Sequence, residues 1–146
     1  MASGGHDTNF ANVFVPNPQS RDTCEVFKPS YFDQPRPIQL TDGPESIGYG
    51  FEGGSFDAVV EHPSWASATA ATKAVLMRPG SVTHHIDFEQ RYIELEVVSE
   101  STTTGTIEHV LTVLGPNDPS IAPPGYYLLY FVVENSPTIG AVVRVG

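Results

Sequence analysis

Between Ala122-Pro123-Pro124-Gly125 and the turn Glu134-Asn135-Ser136-Pro137 the chain runs Tyr126-Tyr127-Leu128-Leu129-Tyr130-Phe131-Val132-Val133. No charge interrupts these strand-forming residues. The run is strand-length, shorter than a buried helix needs, and its continuous apolarity asks for cover on both faces. Whatever this chain folds into must place this strand deep in a sheet. The other apolar runs are just as short. Thirteen prolines and thirteen glycines cut 146 residues into pieces of that size, a pattern of many strands and turns and few helices.

Lys73-Ala74-Val75-Leu76-Met77-Arg78 reads as a strand stopped by Pro79-Gly80. Arg91 to Val98 alternates, with Tyr92, Glu94 and Glu96 on one face and Ile93, Leu95 and Val97 on the other, as in a one-faced sandwich strand. Thr106 to Leu114 is the next strand, Pro116 opens a loop to Gly125, and Ile139 to Val145 returns as the last strand. His62 to Ala71 is the one plausible helical turn. Gly48, Gly50 and Gly53 spell Gly-x-Gly-x-x-Gly, but neither a buried strand before nor a helix after supports a dinucleotide loop. Tyr49, Phe51 and Phe56 are expected in a sheet instead. The count is about seven strands, at the turn spacing of an immunoglobulin-like sandwich.

One domain is what 146 residues allow, burying roughly two thirds of its unfolded surface. The net charge of −10, with seven Lys and Arg and no basic cluster, argues against nucleic acid and anionic membrane as partners. A single cysteine, Cys24, excludes an intrachain disulfide. The first residues lack the basic and apolar regions of a signal peptide, so the expectation is a protein made in the cytosol, with incorporation into a virion or larger particle as one destination. Residues 1–25 read as an extended N-terminal arm. Its apolar patch, with Phe10, Val13, Phe14 and Val15, is the candidate for contact with a protein partner or another copy.

Residues 79–91 read Pro-Gly-Ser-Val-Thr83-His84-His85-Ile-Asp-Phe-Glu89-Gln90-Arg91. A Thr-His pair, an acidic-Gln-Arg run and the later Pro124-Gly125-Tyr126 resemble the C-terminal domain of the galactose oxidase and glyoxal oxidase family of copper radical oxidases. Phe27, Pro29, Tyr31, Arg36 and Pro37 follow the order of that family's lead into its first strand, so the resemblance covers residues 26–146. It implies an all-β, immunoglobulin-like sandwich for 26–146 and gives His84 the position of a copper ligand. In the family this loop reaches into the pore of a seven-bladed propeller. There a second His and two Tyr, one crosslinked to a Cys, complete the metal site.

This chain contains no Tyr-His dipeptide and no propeller pattern, and Cys24 lies in no matching motif. A lone imidazole does not hold a redox copper, and His85 on an extended backbone points away from His84. His6, His62 and His109 are far apart in sequence, without metal spacing. The expected function is a non-catalytic structural or interaction module without a cofactor, such as a decoration or accessory subunit of a virus capsid. The alternative is a split or excised domain of a copper radical oxidase, which binds copper only with a propeller partner. A further alternative is a carbohydrate-binding module using Trp65, Tyr31 and Tyr126 as a platform.

Overall fold

The computed structural model describes residues 28–41, 43–50, 54–67, 69–102 and 107–146, with the backbone of 2–3 and 24–25. In chain order the strands are β1 (Ala2–Ser3), β2 (Cys24–Glu25), β3 (Ile38–Gln39), β4 (Ser46–Ile47), β5 (Phe56–Glu61), β6 (Thr72–Arg78) and β7 (Ser81–Thr83). They continue with β8 (Ile86–Phe88), β9 (Arg91–Leu95), β10 (Val97–Thr102), β11 (Glu108–Val113), β12 (Gly125–Val133), β13 (Ser136–Pro137) and β14 (Ala141–Val145). Seven of these have five residues or more, as the turn spacing predicts.

Two sheets form the sandwich. One has the order β10-β11-β5-β3, the other β4-β14-β12-β6-β9, with β13 also on β12. The fold is all-β and immunoglobulin-like. The apolar run becomes β12, which pairs antiparallel with β6 on one side and β14 on the other. Its inward residues Tyr127, Leu129, Phe131 and Val133 are almost completely buried and meet Leu111, Val113 and Val60 of the facing sheet in one core. The outward residues of β12 stay half-covered or exposed, and Tyr126 is 69% exposed. Cover on both faces is therefore not what this strand receives within the described residues. Its pairing on both edges gives it the central place.

Other expectations need correction. Arg91–Val98 is not one strand. β9 lies in the six-stranded sheet, the pairing breaks at Glu96, and β10 continues in the opposite sheet. The face assignment survives the break, because Leu95 is buried and Ile93 and Val97 pack against the core. The stretch after His62 forms separate turns rather than a helix, closed by Ala66 N–H to Pro63 O and Ala70 N–H to Ser67 O, both 2.9 Å. Pro63 and the run of small residues give a helix no apolar face to bury. Tyr49 lies in a bend, not a strand. Its ring packs on the core and its hydroxyl donates to Ala122 O at 2.7 Å. The backbone there approaches too closely for side chains: a Cβ on Gly54 or Gly115 would lie 2.4 or 2.3 Å from Gly48 O. Phe51 lies outside the described residues, as do Phe10, Val13, Phe14 and Val15 of the arm. Of residues 1–25 the structure describes the antiparallel pairing of Ala2–Ser3 with Cys24–Glu25.

Candidate functional site

β7 and β8 form a small hairpin that pairs with no other strand among the described residues. Its turn is His84-His85, both left-handed at φ of 52° and 64°. A two-residue loop with positive φ at both central positions matches the twist of the flanking strands, and Asn-Gly fills it at least cost. The extended backbone assumed for His85 is thus replaced by a tight turn. Every residue from Ser81 to Arg91 is exposed, and Val82 (74%), Ile86 (55%) and Phe88 (46%) present apolar side chains to solvent.

The hairpin base is tied down. Arg78, at the end of β6, forms an ion pair with Glu89 at 3.0 Å. Gln90 donates to Asp87, and the Arg91 guanidinium donates to Ile121 O at 3.4 Å. Gln90 and Arg91 therefore serve hydrogen bonding. Thr83 lies beside the imidazole. Its hydroxyl meets His84 Nδ1 at 2.8 Å. With Nδ1 engaged, Nε2 is the nitrogen that a metal can take, and such an outer partner fixes the tautomer of a ligating imidazole. A cleft of about 450 Å³ lies at the base, lined by Met77, Arg78, Pro79, Gly80, Gln90 and Arg91 among others.

A second group of metal-ligating side chains lies between the two sheets. His62, Glu100 and His109 bring one donor atom each within 4.8 Å of one another. This overturns the expectation that His62 and His109 offer no metal spacing, while His6 lies outside the described residues. Strand parity is the reason. His109 sits opposite buried Val60, and His62 follows Val60 by two residues, so both point inward. Glu100 lies opposite Leu111, diagonal to His109 on the same face. The two imidazoles stack with centroids 3.4 Å apart and planes 8° from parallel. His109 Nδ1 lies 2.8 Å from Glu100 Oε1, and Thr72 Oγ1 donates to that oxygen at 2.8 Å. His62 Nε2 contacts Thr72 Oγ1 at 2.7 Å. His62 Nδ1 is buried without a hydrogen-bond partner among the described residues. Burial, then the neighbouring His109 ring, pull the His62 pKa below its ordinary value, against weaker opposing pulls from Glu100 and Glu134. The inward parity of Leu111 and Val113, legible in the sequence, already puts His109 in the core.

Of the aromatic candidates, Trp65 and Tyr31 line one cleft of about 250 Å³ with Gln34 and Glu134, whereas Tyr126 is not part of it. The Trp65 indole N–H donates to Pro35 O at 2.8 Å, which fixes the ring as loop packing. Glu94 stands on a wet face and pairs with Lys73 at 3.3 Å.

Residues 36–145 match the family model described as galactose oxidase-like, early set domain. The chain belongs to this family. Aldehyde oxidase GLOX1 of Arabidopsis thaliana is 28% identical over 148 residues, covering 97% of this chain and 23% of that protein. The chain thus spans about a quarter of the length of this curated relative. The alignment also takes in most of residues 1–25, which the resemblance read from the sequence left aside.

Proposed function

We propose that this early set domain docks against a separate catalytic domain and supplies the His84 imidazole as one ligand of its copper. The observation that carries the reading is the exposed β7–β8 hairpin, with His84 in its left-handed turn at the position of the family's ligand motif. Two consecutive non-glycine residues with positive φ are a costly way to build a turn, and such backbone is kept where a side chain matters. Copper, when bound, supplies the one-electron chemistry. The residues of this chain fit that role as a single donor. Among the described residues, the one group of three or more ligating side chains does not include His84, so the other ligands come from the partner.

This chain's own residues do the positioning. Thr83 holds the ring through Nδ1, and the Arg78–Glu89 pair and the Arg91 bond to Ile121 O fix where the hairpin leaves the sandwich. Docking covers Val82, Ile86 and Phe88 and excludes water around the imidazole. The kinship to an aldehyde oxidase makes aldehydes, or the primary alcohols that precede them, the substrate class of the assembled enzyme.

The test is reconstitution. The domain is mixed with a copper-loaded GLOX1 fragment that lacks the corresponding segment, and aldehyde-dependent hydrogen peroxide is measured. Wild-type domain restores activity. His84→Ala binds the fragment but loses more than the ~10–100-fold that loss of an outer-shell partner costs. Equal activity with His84→Ala would point to an accessory subunit without chemistry and end the ligand reading.

A further inference from the structure

We propose that His62, Glu100 and His109 form a binding site for one divalent transition-metal ion of the zinc class, held between the two sheets. None of the three belongs to the hairpin. His62 follows β5, Glu100 lies on β10 and His109 on β11, and Thr72 closes the group from β6 of the opposite sheet. Beside a core built of Val, Leu, Ala, Ile, Phe and Tyr, two buried imidazoles are expensive unless each polar atom finds a partner. His62 Nδ1 has none.

The distances suit a small tetrahedral ion. Bonds of about 2.1 Å require ligand atoms roughly 3.4 Å apart. Glu100 Oε1 lies 2.8 Å from His109 Nδ1 and 3.9 Å from His62 Nε2, values on either side of that spacing. The second carboxylate oxygen is already held by the Thr72 backbone N–H at 3.2 Å, so Oε1 is oriented toward the rings. Two imidazoles and one carboxylate select Zn²⁺, Co²⁺ or Ni²⁺ over Mg²⁺ and Ca²⁺, which take oxygen-rich sites. The Glu100 side chain is 22% exposed while both rings are buried, so the ion arrives past the carboxylate. Parallel rings aim their lone pairs in parallel. Loading therefore tilts them apart until both nitrogens reach one point, with a water or the Thr72 hydroxyl in the fourth place. The protons that bridge His62 to Thr72 and His109 to Glu100 leave as the ion enters.

Chelator-treated full-length chain is titrated with Zn²⁺ by calorimetry and with Co²⁺ by visible absorption. His84→Ala/His85→Ala serves as background, to remove the exposed turn as a competing site. One equivalent of Zn²⁺ binds, Co²⁺ gives the intense bands of a tetrahedral ion, and thermal stability rises with Zn²⁺ but not Mg²⁺. Glu100→Gln, partly exposed and isosteric, weakens binding at least tenfold. Its far-ultraviolet circular dichroism shows that the sandwich persists, so loss of binding is not loss of fold. His62 and His109 ring proton resonances move apart on loading, a signature of the opened stack. Absence of stoichiometric Zn²⁺ binding in the background protein overturns the proposal, and so does binding that Glu100→Gln leaves unchanged. Neither outcome touches the His84 reading, which rests on the hairpin.

Discussion

Asp118 governs the loop that joins the two ends of the core. Its carboxylate accepts from the Ser120 hydroxyl, from Ser120 N–H at 2.7 Å and from Ile121 N–H at 3.3 Å. These bonds, the Ser120 side chain first, hold its pKa below the ordinary 3.8. The same loop offers Ala122 O to the Tyr49 hydroxyl, Pro123 O to the Tyr127 hydroxyl and Ile121 O to Arg91, so one small turn ties core and hairpin base together. The sign of the pH effect follows. In the native state Asp118 stays ionised at pH values where the unfolded chain has taken up a proton. Its contribution is therefore complete above 3.8 and is lost as pH falls through the lower native value. Carboxyl carbon shifts followed through acid titration should report this depressed value, and Ser120→Ala should move it back toward 3.8 with an earlier acid transition.

At the scale of elements, the β7–β8 turn sets stability against use. An L-residue in the left-handed region costs about 1–2 kcal/mol, and the turn holds two of them. Replacing His84-His85 by Asn-Gly should stabilise the isolated domain by about 1 kcal/mol in chemical denaturation while removing the imidazole from any partner. A loss of stability on this exchange would mean that the histidines make native contacts beyond the Thr83 bond. Most elements were legible in the sequence for simple reasons. Alternation gave the inward face of β9, the apolar runs gave β6, β11 and β12 as strands, and Pro79-Gly80 and Pro116 marked real ends. What was hidden is pairing between distant segments. Nothing local to Glu96 announces that the chain leaves one sheet for the other, since the alternation continues through it. Nothing local joins His62, Glu100 and His109 either. Register does so, and the parity of each strand, taken with its partner, was the usable signal. The helical turn read after His62 failed because small residues and Pro63 allow turns as readily as helix.

The whole molecule has a gradient of burial that follows its topology. β12 lies inside the larger sheet, with β6 and β14 on its edges and Phe131 and Leu129 sealed in the core. The β7–β8 hairpin has its own pairing and, among the described residues, no further strand beside it. Amide exchange should therefore be slowest in residues 127–133 and 74–76, where opening approaches global unfolding, and fastest in 81–88. On docking a catalytic partner, protection should appear first in the hairpin. Hairpin amides as slow as those of β12 in the free domain would show that it packs on the sandwich after all.

That separation has a consequence for descent. The residues that keep the sandwich folded and the residues that would reach a partner occupy different parts of the chain, joined by a few contacts at Arg78, Gln90 and Arg91. Drift in the hairpin leaves folding intact, and drift in the core leaves the hairpin's shape intact. A duplicated copy can therefore exchange one recognition loop for another in a few steps while every intermediate still folds, and such a domain can change employment without being rebuilt.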